Sequence, residues 1–192
     1  VLVSYLPIPS KIGEMKTKPT QYAVRSLNSA GIQPDIILAR AEVPVDEPRR
    51  EKISMFCNVQ PQDVISAPDV DSIYDVPINF EKDNLGNIIL EKFGLNPSGQ
   101  DLIEWSQMVK KIKNPDKEVK IGIVGKYFKS GKFTLMDSYI SVLEAIKHSA
   151  AYFSAKPIIT WLDAEKYEQD PSSLQELKEF GGVIVPGGFG SR

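Results

Sequence analysis

Residues 34–40, Pro-Asp-Ile-Ile-Leu-Ala-Arg, decide the fold class of this chain of 192 residues. Pro34 and Asp35 form a turn, and the fully apolar run Ile36–Ala39 then predicts a short buried strand that ends at Arg40. A strand without polar alternation is typical of a parallel sheet covered by helices. The stretch therefore favours an α/β fold.

One helix is predicted before this strand in the sequence and another after it. The first begins with Thr20 as its N-cap and ends at Gly31, and the second spans Glu47–Phe56 with Ile53 and Phe56 facing inward. Further strands are predicted at Val1–Pro9, Val64–Ser66, Val119–Val124, Ile158–Leu162 and Val183–Val185, and further helices at Leu85–Phe93, Leu102–Ile112, Thr134–Ala151 and Ser173–Phe180. Strands that alternate with helices predict parallel sheets.

A change in composition predicts two domains. Residues 110–120 are rich in lysine, contain a proline and include few apolar side chains, which is typical of a linker. We therefore predict a first domain over residues 1–112, a linker over 113–118 and a second α/β domain over 119–192.

Charge and composition exclude several classes of protein. The net charge of -2, from 23 basic and 25 acidic residues, argues against a generic nucleic-acid binder. No apolar run is long enough to span a membrane. The single cysteine, Cys57, excludes an internal disulfide, favours a reducing, cytoplasmic location and is expected to be a buried structural thiol. Both chain ends suggest a piece of a longer protein.

A lysine-rich stretch, Lys16-Thr17-Lys18-Pro19-Thr20-Gln21, is the first candidate site. In an extended backbone Lys16 and Lys18 point to the same side, and the helix that follows presents unpaired N–H groups. Two ammonium groups ahead of a helix N-terminus suit a polyphosphate. The spacing alone favours the other interpretation, a solvated basic loop.

A glycine-rich turn after the last strand, Val183–Gly190, is the second candidate. Its backbone N–H groups could hold an oxyanion during acyl transfer, or the turn could simply join a strand to a helix. The residues leave these alternatives open. By contrast, residues 125–133 fail as a P-loop, because five residues separate the two glycines and Phe133 follows Lys132.

Several segments together resemble the CTP synthase family. They keep the family order over nearly the whole chain: Gly13–Gln21, Gly31–Asp35, Lys52–Cys57, Asp69–Tyr74, Val124–Tyr127, Asp137–Tyr139 and Val185–Gly190. The first of these is highly specific to the family, whereas the last is shared by many class I glutamine amidotransferases. The resemblance implies the end of a P-loop NTPase-like synthetase domain followed by the start of a flavodoxin-like glutaminase domain.

The same resemblance implies the activity and its partners. The family is a ligase in which ATP, with Mg2+, phosphorylates the uracil O4 of UTP, and ammonia from glutamine then displaces the phosphate to give CTP. A homotetramer with the UTP site between subunits, and activation by GTP, are also implied. Neither nucleic acid nor a membrane is expected as a partner.

Site residues follow from the resemblance position by position. UTP and CTP are expected to contact Lys16, Thr17, Lys18, Pro19, Thr20, Gln21 and Lys52; ATP is expected near Arg40, Pro68, Asp69 and Val70; and Gly187 and Gly188 are expected to hold glutamine and its oxyanion. No catalytic residue and no metal ligand is expected within the chain.

Two departures from the family pattern stand out. Residues 128–136 look like an insertion, and Leu2 replaces a common histidine. Because the P-loop, the magnesium carboxylates and the glutaminase Cys, His and Glu are expected outside these residues, we expect the chain alone to be inactive. The alternatives are a non-catalytic nucleotide-sensing or filament-forming relative and another class I amidotransferase.

Overall fold

The computed structural model describes residues 1–96, 101–125, 129–130, 133–134 and 139–187. The chain divides into two compact units, Val1–Leu102 and Ile103–Arg192. Among the described residues, no helix has the length and apolar character needed to cross a membrane.

The first unit is a three-stranded parallel sheet in the order β1-β2-β3. Its elements are β1 (Leu2–Tyr5), α1 (Lys18–Ser29), β2 (Ile37–Ala41), α2 (Glu47–Cys57), β3 (Val64–Pro68), α3 (Val76–Lys82) and α4 (Leu85–Lys92), with 3-10 turns at Pro61–Asp63 and Ile73–Asp75. The apolar run predicted as a buried strand is β2, the central strand. The α/β class with a parallel sheet is confirmed.

The central strand contributes to a core on each face of the sheet. Ile37, Ala39 and Ala41 pack in one core with apolar side chains of α1 and α2. Ile36 and Leu38 face the other way and pack with side chains of β3 and α4. Successive side chains of a strand point to opposite faces, so a fully apolar strand requires helices on both.

The end of α1 agrees with the sequence prediction, and its start does not. Gly31 has a φ of +79°, and its N–H donates to the Asn28 carbonyl while the N–H of Ile32 donates to the Leu27 carbonyl. These two bonds form a Schellman motif, which favours glycine at the left-handed position. The helix begins at Lys18, with Pro19 in its first turn, so the prediction of Thr20 as N-cap is wrong.

Phe56 also departs from the prediction that it faces inward, since it is 60% exposed. Ile53 and Cys57 are both buried and lie one turn apart on α2. They form the buried stripe of the helix, and Phe56 falls to one side of it.

A polar network ties α2 to β3 and to the segment between α3 and α4. Arg50 donates to the Val64 carbonyl and, through Nη2, to Asp83 Oδ1 at 3.2 Å. Asp83 Oδ2 accepts from the Ser66 N–H at 2.6 Å, and Ser66 Oγ accepts from the Val45 N–H at 3.0 Å. Both charged side chains are largely buried. The network therefore satisfies backbone groups at the place where three elements meet.

We expect Asp83→Ala to lower the free energy of unfolding by about 2 kcal/mol, because Arg50 and the Ser66 N–H both lose a charged acceptor. Urea unfolding followed by circular dichroism measures the change. Glu81→Ala, two residues earlier, is the matched control, because this side chain is exposed and no described residue bonds to it. An Asp83 variant as stable as this control would contradict the assignment.

The second unit is a parallel sheet in the order β7-β4-β8, with a separate antiparallel pair β5-β6. Its elements are α5 (Ile103–Lys113), β4 (Lys117–Gly125), β5 (Lys129–Ser130), β6 (Phe133–Thr134), α6 (Ile140–Tyr152), β7 (Ala155–Asp163), α7 (Ala164–Gln169), a 3-10 helix (Pro171–Glu179) and β8 (Gly182–Ile184). In β4, a Cβ on Gly122 would lie 2.5 Å from Leu162 Cδ1, so glycine permits the close approach.

The boundary between the units precedes the predicted one at 112. The second unit starts at Ile103 because α5 packs against α6 and β7. Only residues 114–116 connect α5 to β4, which is shorter than the predicted linker of 113–118. Equating the second unit with a glutaminase domain stays a prediction.

Two helix predictions in the second unit are wrong. Thr134, predicted to cap a helix, lies in β6, and α6 begins only at Ile140. The predicted helix Ser173–Phe180 is a 3-10 helix over Pro171–Glu179. A Ser or Thr followed three residues later by an acidic side chain marks a helix start only where the backbone does not pair elsewhere.

Candidate functional site

A basic cavity of about 590 Å³ opens beside the N-termini of α1 and α2. Its lining, which defines the name basic cavity, consists of Glu14, Met15, Lys16, Thr17, Lys18, Pro48, Arg49 and Lys52. Four cations and one carboxylate are thus gathered in one place. Such a set recognises anions, because each oxygen can meet a separate N–H donor.

Local structure explains why these side chains converge. The Lys16 N–H donates to the Pro7 carbonyl at 2.9 Å, and the neighbouring Met15 is buried in the core. Both contacts fix the loop before α1 to the segment that follows β1. On α2, Asp46 caps the first turn by accepting from the Arg49 N–H at 3.0 Å. Arg49 and Lys52 are three residues apart and lie on one face of the helix.

The cations of the basic cavity fall into two pairs. Glu14 binds Lys16 at 2.6 Å and Arg49 at 3.3 Å, while Arg49 also binds Asp46 at 2.6 Å. Within the described part of the chain, the ammonium groups of Lys18 and Lys52 have no carboxylate within ion-pair distance. Two cations are therefore available to an incoming anion without breaking any ion pair.

The charge around Glu14 keeps its carboxylate ionised. The hydrogen bond and the positive charge of Lys16, followed by the charge of Arg49, hold the pKa of Glu14 below its ordinary value. At neutral pH this side chain is an acceptor only and stays paired with the two cations.

The predicted nucleotide residues divide in the structure. Lys16, Thr17, Lys18 and Lys52 line the basic cavity together, although Lys52 is distant from the others in sequence. Pro19, Thr20 and Gln21 do not line it. Gln21 Nε2 donates to Thr17 Oγ1 at 3.1 Å. Thr20 is fully buried, and its Oγ1 lies 2.8 Å from Ser4 Oγ, which ties α1 to β1.

Arg49 lines the basic cavity although sequence analysis did not select it. Its position three residues before Lys52 on the predicted second helix was the available signal. Several charges on that helix carry the same spacing, so only the fold distinguishes the one that faces the cavity.

We expect Thr20→Val to lower the free energy of unfolding by about 1 kcal/mol, because Ser4 Oγ loses its partner. Because Thr20 does not line the basic cavity, we expect the binding of inorganic tripolyphosphate there to stay unchanged. Thermal unfolding and calorimetric titration measure the two effects. Adding Ser4→Ala should recover most of the lost stability, since replacing both hydroxyls leaves no unpaired group. A large loss of binding in Thr20→Val would contradict the structural role.

A second cavity, of about 680 Å³, lies at the carboxyl ends of β2 and β3 in the same unit. All four residues expected near ATP line it: Arg40, Pro68, Asp69 and Val70. In the sheet register Ala41 pairs with Pro68, so both strands end at this edge. Arg40 Nη2 donates to Asp69 Oδ1 at 3.0 Å. We call this the β2–β3 cavity.

Apolar side chains supply most of the remaining wall of the β2–β3 cavity: Val3, Leu38, Ala67, Ile73, Val76 and Phe80. A polar pair beside an apolar wall suits a flat ring that carries a hydroxylated sugar. The crevice at the carboxyl edge of a parallel sheet is also where α/β folds bind ligands.

Two other predicted features have different outcomes. Gly187 is exposed and its backbone is not left-handed, while Gly188 lies outside the described residues. Cys57 is buried, as predicted, and burial raises the pKa of its thiol to about 11. It is therefore protonated at neutral pH and is not poised as a nucleophile.

Comparison with known proteins finds CTP synthases that are similar to this chain. The model of the CTP synthase N-terminus matches residues 1–95. The chain is 48% identical over its full length to CTP synthase of Thermococcus gammatolerans, and 44% identical over its full length to CTP synthase of Sulfolobus acidocaldarius. The chain matches a fragment of CTP synthase.

A third CTP synthase is similar to the chain to nearly the same degree. CTP synthase of Methanococcus maripaludis is 43% identical over 99% of the chain. The chain spans about a third of the length of these relatives, 35% for the first two and 36% for the third. The CTP synthase match covers both structural units, since it continues past residue 102 into the second.

Proposed function

We propose that the basic cavity is part of the UTP and CTP site of a glutamine-hydrolysing CTP synthase, and that the β2–β3 cavity is part of its ATP site. The observation that carries the proposal is the pair of unpartnered ammonium groups, Lys18 and Lys52, facing one cavity within the described residues. The match to CTP synthases supports the identity of the ligand.

A nucleoside triphosphate fits the charge of the basic cavity. Its phosphates present several anionic oxygens in a row. The cavity offers Lys18 and Lys52, which have no ion-pair partner among the described residues, with Lys16 and Arg49 beside them. Lys18 also begins α1, so the unpaired N–H groups of the first turn add positive potential nearby. Uridine and cytidine triphosphates carry the same phosphates and would compete for this place.

The proposed ATP contacts follow from the β2–β3 cavity. The apolar wall would hold the adenine ring. The Asp69 carboxylate would accept a hydrogen bond from a ribose hydroxyl, and its ion pair with Arg40 would keep it in place. No group of three or more His, Cys, Asp or Glu among the described residues is arranged to hold a metal ion. We therefore assign no described residue to the Mg2+ that accompanies ATP.

These residues contribute to the proposed reaction by binding and orientation. Holding both nucleotides would bring the γ-phosphate of ATP to the uracil O4. Transfer of this phosphate to O4 turns the oxygen into a good leaving group, and ammonia then displaces the phosphate. The proposal extends to glutamine held near Gly187 and Gly188, to GTP as an activator and to a homotetramer. The chain alone is expected to lack both partial activities.

We expect Lys18→Ala and Lys52→Ala each to weaken UTP and CTP binding about tenfold, because each removes one charged contact to phosphate. Isothermal titration calorimetry on the intact protein that contains this chain measures the affinities. Lys11→Ala, which removes an exposed lysine from the same loop but not from the cavity, is the control. Equal affinities in the three variants would overturn the UTP site.

We expect Asp69→Asn to weaken ATP binding about tenfold and to leave UTP binding unchanged, because only the β2–β3 cavity loses a charged acceptor. Titration with a non-hydrolysable ATP analogue on the intact protein measures this. Asp71→Asn, two residues later and outside the cavity, is the matched control. The same loss in both variants would point to a general charge effect.

A further inference from the structure

In the basic cavity, the Glu14 carboxylate forms ion pairs with two cations, where the oxygens of a bound anion could lie instead. Glu14 Oε2 lies 2.6 Å from Lys16 Nζ, and Glu14 Oε1 lies 3.3 Å from Arg49 Nη2. One carboxylate thus uses both oxygens to join two cations that come from different elements. Two oxygens of a phosphate group could accept hydrogen bonds from the same two donors, Lys16 Nζ and Arg49 Nη2.

The exposure of the Glu14 side chain allows its carboxylate to move away from Lys16 and Arg49. The Glu14 side chain is 52% exposed, so the carboxylate can turn into solvent without disturbing the core. Lys16 and Arg49 are themselves partly exposed and keep access to the cavity when Glu14 leaves. Arg49 would still be paired with Asp46, which caps α2 and does not line the cavity.

We propose that Glu14 is an internal counterion that a polyphosphate displaces from Lys16 and Arg49, and that Arg49 is a further anion-binding residue. The proposal rests on the anion site inferred above. A single phosphate can bind Lys18 and Lys52 without disturbing Glu14. A triphosphate extends further and must compete with the carboxylate for the other two cations.

The displacement lowers the affinity of the site for triphosphates. When a triphosphate binds, the protein must first break the two ion pairs of Glu14. The free energy needed to break them is subtracted from the measured binding free energy. A monophosphate bound to Lys18 and Lys52 leaves those pairs intact. Glu14 therefore limits how much each added phosphate strengthens binding.

The test compares wild type and Glu14→Gln of the intact protein by calorimetry with UTP, UMP and inorganic tripolyphosphate. Glutamine keeps the shape of the side chain and removes its charge. We expect UTP and tripolyphosphate to bind about threefold to tenfold more tightly in the variant, and UMP to change by less than about twofold. Glu47→Gln is the control, because it removes a charge from α2 outside the basic cavity.

A second variant tests Arg49 directly. Arg49→Gln is expected to weaken tripolyphosphate binding, and in that background Glu14→Gln should tighten it by a smaller factor than in wild type, since one of the two pairs is already absent. Effects that multiply independently would overturn the shared role of the two residues.

Each further outcome decides between the proposals. Unchanged or weaker tripolyphosphate binding in Glu14→Gln would overturn the counterion role, as would an equal gain in Glu47→Gln. A tripolyphosphate response without UTP binding would support the counterion role and remove the proposed nucleotide site. UTP binding that is lost in Lys18→Ala but unaltered in Glu14→Gln would keep that site and reject the counterion.

Discussion

The contact of Arg50 and Asp83 with the backbone of β3 is the constraint on which the first unit depends. Asp83 accepts from the Ser66 N–H, and Arg50 donates to the Val64 carbonyl, so two charged side chains satisfy groups on one strand. Arg50 lies next to Arg49 on α2, which lines the basic cavity, and Ser66 precedes the residues of β3 that line the β2–β3 cavity. One network thus joins α2, which lines part of the basic cavity, to β3, which lines part of the β2–β3 cavity.

Local charge, and not the charge of the whole chain, determines what the basic cavity can bind. The chain carries a net charge of -2, yet four cations face a single cavity in which Glu14 is the one lining carboxylate. Among the residues that the structure describes, Glu14 and Asp46 pair with Lys16 and Arg49, and no carboxylate pairs with Lys18 or Lys52. The arrangement favours an anion with several charged oxygens over a single carboxylate.

Sequence predictions succeeded where local chemistry and tertiary structure favour the same conformation. Ile36–Ala39 was predicted as a buried strand and forms most of β2, and Gly31 ends α1 as predicted. The failures occur where two local patterns compete. Thr134 has capping spacing but pairs in β6, and Phe56 has helical spacing from Ile53 but lies beside the buried stripe.

By itself the sequence determined the α/β class and the apolar central strand, because these depend on residue type and short spacing. The nucleotide role of the lysines was predicted from the family resemblance, since their spacing alone favours a solvated loop. The family resemblance had implied that Lys52 joins Lys16 and Lys18. Only the tertiary structure decided that Arg49 faces the same cavity and that Thr20 is bonded to Ser4 instead. Contacts between α2 and the loop before α1 depend on how helices pack across the sheet. That packing arises from burial of side chains far apart in sequence, which spacing alone does not encode.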